Sequence, residues 1–263
     1  MNKFHNLKDI EEVFVDVILP NYNKAEFIEE AINSVILQTY KNWKLYIVDD
    51  CSKDNSIEII NKFTNLKNVN VIKLKKNKGP AFCRNYAMRL SKSKYISFID
   101  SDDTWFNNKL ERQISFMKKH NLAYTYTDYT PFFESNGKKN FKKTTKLKDY
   151  FNYETFIRNS SINTTTMIIE RSILKNLRFK KIKLLEDYLF KCELLKKGNV
   201  AKKLGENLAY YRILDKSRSS KRFKNIYWLW HINKKFNKLG ILSNLISIFS
   251  ISINSIKKYG GIK

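Results

Sequence analysis

Histidine and cysteine are scarce in this chain of 263 residues, and that scarcity narrows its chemistry. Cys51, Cys83 and Cys192 are odd in number, far apart and without a CxxC pair, so neither a disulfide framework nor a thiolate zinc site is suggested. A reducing compartment is expected. His5, His120 and His231 include no pair at helical spacing, which leaves a histidine metal site or a Ser-His-Asp arrangement without a starting point. Residues 1–12 lack the continuous apolar core of a secretory signal, and a cytoplasmic protein follows as the expectation. The apolar stretch at 241–256 is interrupted by Ser243, Asn244, Ser247, Ser250 and Ser252, short of the roughly 20 mainly apolar residues of a spanning helix. Acidic residues are absent from 216 to 263.

Carboxylates are therefore the groups left to carry chemistry. A hydrophobic content of 43% is enough for a full core, in one large domain or one domain with a small appendage. Fifty Lys and Arg against 25 Asp and Glu give a formal charge of +25, which favours an anionic partner: nucleic acid, a lipid surface or a phosphorylated substrate. Short runs rich in Val and Ile at 15–19, 45–48, 69–74 and 95–99 read as buried strands. Between them, 24–37, 54–63 and 81–90 carry apolar stripes at helical spacing. Strand and helix alternating in this way predict an α/β fold with a mostly parallel, Rossmann-like sheet and helices on both faces. Beyond Trp105 the pattern loosens into a helix near 107–119, a strand-like run at 123–130, a basic loop at 138–148 and a helix over 184–197.

Ligands in such sheets sit beyond the carboxyl ends of the strands, where three of the four strands finish in polar clusters: Pro20-Asn21-Tyr22-Asn23, Asp49-Asp50-Cys51-Ser52 and Asp100-Ser101-Asp102-Asp103. No GxGxxG follows the first strand, so a bound diphosphate would need a metal to neutralise it. The last cluster offers three hard oxygen donors suited to Mg²⁺ or Mn²⁺; Asp residues also make good turns and caps. Asp49-Asp50 can accept hydrogen bonds from a nucleobase or ribose, or can cap the following helix. Tyr22 can stack on a base, or merely edge a loop.

Taken in order, Val-Ile-Leu-Pro-Asn-Tyr-Asn-Lys, Ser34-Val35-Ile36-Leu37-Gln38-Thr39-Tyr40, Ile47-Val48-Asp49-Asp50-Cys51-Ser52-Lys53-Asp54, Asn77-Lys78-Gly79-Pro80-Ala81 with Arg84-Asn85, and the run from Tyr95 to Asp103 resemble the opening of family 2 glycosyltransferases of the GT-A fold. The resemblance covers about the first 120 residues. It implies an inverting, nucleotide-sugar-dependent transferase of surface polysaccharide biosynthesis. Pro20, Tyr22 and Asp50, with Gly79 and Arg84, would line the nucleotide site, Asp50 meeting the uracil of a UDP-sugar. Asp100 and Asp102 would serve ribose, diphosphate and a Mn²⁺ or Mg²⁺ ion, Asp102 as the direct ligand of this DXD motif, and Asp103 would orient a metal-bound water or touch the sugar. Cys51 stands where the family commonly has Gly or Asn. Leu185-Glu186-Asp187-Tyr188 resembles the family's Glu-Asp motif, making Asp187 the catalytic base, although acidic residues in a first turn also serve the helix dipole. Tyr210-Tyr211-Arg212 and Ser217-Arg218-Ser219 resemble the closing basic segment, with Arg212 reaching the diphosphate; the His often found near there is missing.

The expected division is a catalytic domain at 1–215, with a nucleotide-sugar half at 1–120 and an acceptor half at 121–215, then a basic helical extension at 216–263. The extension interleaves Tyr227, Trp228 and Trp230 with Lys and Arg. It fits a helix lying on a membrane surface beside a glycan or lipid-linked acceptor, hence a peripheral position on the inner face of the cytoplasmic membrane; two helices packed on the domain fit equally. A nucleic-acid-binding module finds no recognition motif here and leaves the acidic strand ends unexplained, so no nucleic-acid partner is expected. A metal-dependent nucleotidyltransferase would call for a glycine-rich basic loop after the first strand, where this chain has Pro-Asn-Tyr-Asn.

Overall fold

The computed structural model describes residues 14–214 and 222–259; the opening segment with His5 and the Ser217-Arg218-Ser219 stretch lie outside the described residues. Strands β1 (Val15–Asn21), β2 (Trp43–Asp49), β3 (Val69–Lys73) and β4 (Tyr95–Phe98) are parallel in the spatial order β3-β2-β1-β4. Helices α1 (Ile28–Ile36), α2 (Ser56–Asn61) and α3 (Pro80–Leu90) make the crossovers that parallel pairing requires. Every side chain of β1 and β4 is buried, which is why these strands read as apolar runs rather than alternating ones. Helix α1 starts later than its apolar stripe suggests. The preceding backbone is diverted: Lys24 N–H donates to Ser56 Oγ and Ala25 N–H to Asp54 Oδ2.

The second half adds β5 (Thr104–Trp105), α4 (Lys109–Lys119), β6 (Tyr124–Ser135), β7 (Lys138–Phe141), β8 (Tyr150–Phe151), α5 (Tyr153–Phe156), β9 (Ile168–Glu170), α6 (Arg171–Leu174), α7 (Glu186–Lys196) and β10 (Ala201–Arg212). β9 pairs antiparallel with β4 and β6, β10 runs parallel to β6, and β5 closes the edge. The two halves thus share one sheet, parallel at first and mixed beyond β4. The stretch from 138, expected as loop, opens as a strand hairpinned to β6. Asn136 and Gly137 make the turn with φ of 51° and 69°, the two left-handed residues that a tight hairpin needs.

Behind the β4 end, Trp105 Nε1 donates to Thr165 O in a 3-10 turn (Thr164–Thr166), and Gln113 Nε2 donates to Thr125 Oγ1 and Thr166 O. Lys109 is wholly buried against Gln113 Oε1 and the Trp105 ring, and burial lowers its amine to about 7. The chain ends in α8 (Arg222–Lys235) and α9 (Ile241–Tyr259). Leu229 and Ile232 of α8 join the main buried cluster, so this pair packs on the domain. Among the described residues no helix is long and apolar enough to cross a membrane.

Candidate active site

The polar ends of β1, β2 and β4 come together because these strands are neighbours in the sheet. Asp49 accepts from Asn21 Nδ2, Ser52 N–H and Ser52 Oγ, closing the turn after β2. Asn23 Oδ1 accepts from Lys53 N–H, and its own N–H donates to Ser52 Oγ. This lacing buries Pro20 in β1 and leaves Tyr22 in solvent at 43% exposure. Cys51 sits at φ 63°, a left-handed position where Gly or Asn is the easier residue. The departure in sequence therefore carries a backbone cost.

Asp50 is 2% exposed, and its two oxygens accept from the N–H groups of Lys78 and Gly79 at 2.7 Å each. Its carboxylate thus sets the loop leading into α3, where Gly79 adopts φ 86°. Both carboxylate oxygens of Asp50, expected from sequence at the nucleobase, thus meet the protein's own backbone.

At the end of β4 three carboxylates meet different fates. Asp100 is bonded to Arg84 Nη2 at 2.6 Å with 34% of its side chain exposed. Asp102 is bonded to Lys24 Nζ at 2.8 Å with 22% exposed. Burial pushes the Asp102 carboxyl above the usual range, Lys24 pulls it back and Asp100 adds to the rise. Asp103 is wholly buried: Oδ2 accepts from Thr165 Oγ1 and Oδ1 from Arg212 N–H. Burial, then Asp102 and Asp100, push its carboxyl well above the usual range. Asp103 is thus held inside the framework, behind Asp100 and Asp102.

Among the described residues no three His, Cys, Asp or Glu side chains converge as a metal cage. Two partly open carboxylates instead fit Mg²⁺ or Mn²⁺ shared with a diphosphate, since such ions use one or two carboxylates plus phosphate oxygens and water. Lys24, which the sequence reading overlooked, already sets a cation at Asp102. A metal there must displace it.

The first turn of α7 faces this region. Leu185 precedes it at φ 63°, ψ 30°, strain of roughly 1–3 kcal/mol for a non-glycine residue. Arg84, 5% exposed, spans from Asp100 to Glu186, with Nη1 3.6 Å from Oε1. Asp187 keeps 37% of its side chain exposed and receives Lys191 Nζ at 2.8 Å and Thr164 Oγ1 at 3.3 Å on Oδ2. Burial alone would raise its carboxyl, but Lys191 and Arg84 outweigh that and hold it at about 2. Asp187 is ionised and open. Lys191, four residues on, lies at the i,i+4 spacing expected of a helical ion pair, a signal the sequence did carry.

The two arginines expected on the donor are both buried among carboxylates. Arg84 is the internal counter-ion just described. Arg212 has 1% of its side chain exposed: Nη2 pairs with Glu30, Nη1 with Glu134, Nε donates to Asp102 O, and the guanidinium lies 4.5 Å from both the Phe27 and Phe132 ring centroids. It fastens the end of β10 beneath the aspartate turn.

Residues 16–178 match the family model described as Glycosyl transferase family 2. The chain is 32% identical over 250 residues to WfgD of Escherichia coli, a UDP-Glc:alpha-D-GlcNAc-diphosphoundecaprenol beta-1,3-glucosyltransferase, covering 93% of this chain and 95% of that one. TarS 1-349 of S. aureus, solved in complex with UDP-GlcNAc, superposes with a TM-score of 0.70 at 21% identity, covering 94% of this chain and 76% of that one. The mannosyltransferase PcManGT of Pyrobaculum calidifontis, solved with GDP-Man and Mn²⁺, gives 0.66 at 15% identity, with coverage of 94% and 76%.

Proposed function

The chain belongs to glycosyl transferase family 2, and from that premise we propose that it moves a sugar from a UDP-sugar to a lipid-linked saccharide, with inversion, at the inner face of the membrane. The observation that carries this reading is the placing of two partly open aspartates at the β4 end near an ionised, open aspartate on α7, whose neighbour Glu186 is joined to Asp100 by Arg84. The donor is the ligand of WfgD's class, and its nucleoside meets Tyr22 and the Asp50-held loop. Asp100 and Asp102 would hold a divalent cation, which would supply positive charge against the diphosphate leaving group.

Asp187 receives the proton of the acceptor hydroxyl. As the acceptor oxygen bonds to the anomeric carbon it becomes strongly acidic, so a weakly basic carboxylate suffices if it is close and ionised. Lys191 and Thr164 fix the carboxylate's orientation through Oδ2. One in-line displacement inverts the anomeric centre.

The test is a thermal-shift series of nucleoside diphosphates and their sugars, with and without Mn²⁺. A ligand at 100 times its Kd stabilises by about 2.7 kcal/mol, a shift of several degrees at this size. UDP is expected to act only with metal, and Asp102→Asn to abolish the response. An unchanged response in Asp102→Asn, or a shift by GDP alone, would overturn the donor assignment. Lys24→Met, in turn, is expected to tighten Mn²⁺ by roughly fivefold, since a partly exposed ion pair at Asp102 competes by about 1 kcal/mol. Titration calorimetry reads this directly, and weaker Mn²⁺ binding would show that Lys24 assists the ion instead of competing with it.

A further inference from the structure

The C-terminal helix α9 buries two polar residues and exposes a run of apolar ones. α9 turns Asn244 and Ser247 inward beside Ile248 and Ile251: the two polar residues are 1% and 0% exposed, and Asn233 Nδ2 of α8 donates to Asn244 Oδ1 at 3.1 Å and Ser247 Oγ at 2.9 Å. Ser247 Oγ donates in turn to Ile157 O, beyond α5. The opposite side of α9 is a stripe of Leu242, Leu245, Ile246, Phe249, Ile253 and Ile256, at spacings that keep them on one helical face. Leu242 is 72% exposed, Phe249 69%, Ile256 56% and Leu245 52%. A surface helix of a globular protein shows the reverse arrangement, and an exposed apolar face this continuous marks an interaction site.

Charge decides between the two occupants an apolar face admits. No acidic residue occurs from 216 to 263, while Lys224, Lys234, Lys235, Lys238 and Lys257 are exposed on and between the two helices. A second copy docking α9 on α9 would bring two acid-free cationic segments together. An anionic bilayer supplies the missing counter-charge, and the exposed Phe223 and Tyr227 of α8 suit the headgroup boundary. A helix of 19 residues with one exposed apolar face suits the plane of such an interface.

The helix pair is also joined to the acceptor side of the site. Tyr188, the residue after Asp187, donates through its hydroxyl to Asn233 Oδ1 at 2.9 Å, and Asn233 is the residue that holds α9. We propose that the apolar face of α9 docks the enzyme on anionic phospholipid and so presents the first turn of α7 to a membrane-borne acceptor; the second half of that statement rests on the lipid-linked acceptor read above.

The experiment is co-sedimentation of the full chain with vesicles of phosphatidylcholine and phosphatidylglycerol, against phosphatidylcholine alone, for the wild type and the double variant Leu245→Ser/Phe249→Ser. The wild type is expected to partition roughly tenfold more strongly onto the anionic vesicles, and the double variant to lose roughly tenfold or more of that binding. Both replaced side chains are exposed, so the variant keeps its melting temperature and its UDP response. Equal binding by wild type and variant, no binding by either, or a solution dimer that the double variant splits would each overturn the proposal. Vesicle binding that the variant loses, in a protein no nucleotide stabilises, would uphold the docking face while removing the transferase reading.

Discussion

Asp187→Asn is expected to lower kcat by about 10²- to 10⁴-fold while leaving the Kd for UDP within about twofold. Lys191 and Thr164 both meet Oδ2, and the amide oxygen of asparagine can keep those two contacts. What disappears is the negative charge that takes the acceptor's proton. The pH profile gives a second reading. With its carboxyl held at about 2 by Lys191 and Arg84, Asp187 is ionised throughout the neutral range and protonates only as pH falls toward that value. It therefore contributes no acid limb to kcat between about pH 5 and 9. Near-normal kcat in Asp187→Asn would remove the base assignment. An acid limb near pH 6 that the variant abolishes would show that the two cations do not hold this carboxylate during turnover.

The parts of the fold legible in sequence are those set by burial. β1, β2 and β4 are buried almost throughout, so their Val- and Ile-rich runs stand out, and their polar ends fall at one edge because parallel crossovers bring them there. The second half was harder for two reasons. β10 pairs with β6 through register shifts at Leu204/Asn207 and Asn207/Tyr210, which blur any alternation. The hairpin into β7 was announced by Asn136-Gly137, but the lysines around it read as a solvated loop.

The site shows the same limit more sharply. Carboxylate positions could be read from sequence, whereas their partners could not, because partners are set by which elements meet in space. Asp103 is closed over by Thr165 and the Arg212 backbone, whereas the Asp102 carboxylate meets Lys24 and stays partly open. The amphipathy of α9 was likewise visible, but not which side faces the protein. A polar stripe can be the buried one when Asn233 satisfies it.

Arg84 is where these halves depend on each other most, and Arg84→Met is expected to cost about 3–5 kcal/mol, the usual penalty for removing one member of a buried ion pair. For a chain of this size that corresponds to a fall in Tm of roughly 10 °C. The guanidinium lies 5.3 Å from the Phe179 ring, and Phe179 stacks on Phe190 of α7 at 3.9 Å, so methionine fills the space without supplying charge. Asn85 beside it clamps the same segment through reciprocal hydrogen bonds with Phe179, and the variant tests the charge apart from that clamp. Glu186 is only 7% exposed and feels the loss more than Asp100, which can turn to water. Adding Glu186→Gln to Arg84→Met should thus recover part of the stability, as a coupled pair does in a double-mutant cycle. Arg84 also helps to depress Asp187, so in Arg84→Met the base becomes a stronger one, held less firmly in place. A Tm within about 2 °C of the wild type would show that the bridge between donor strand and acceptor helix is not a structural necessity. Full loss with no recovery in the double variant would assign the cost to packing over Phe179 instead of to the lost pairing of Arg84 with Glu186.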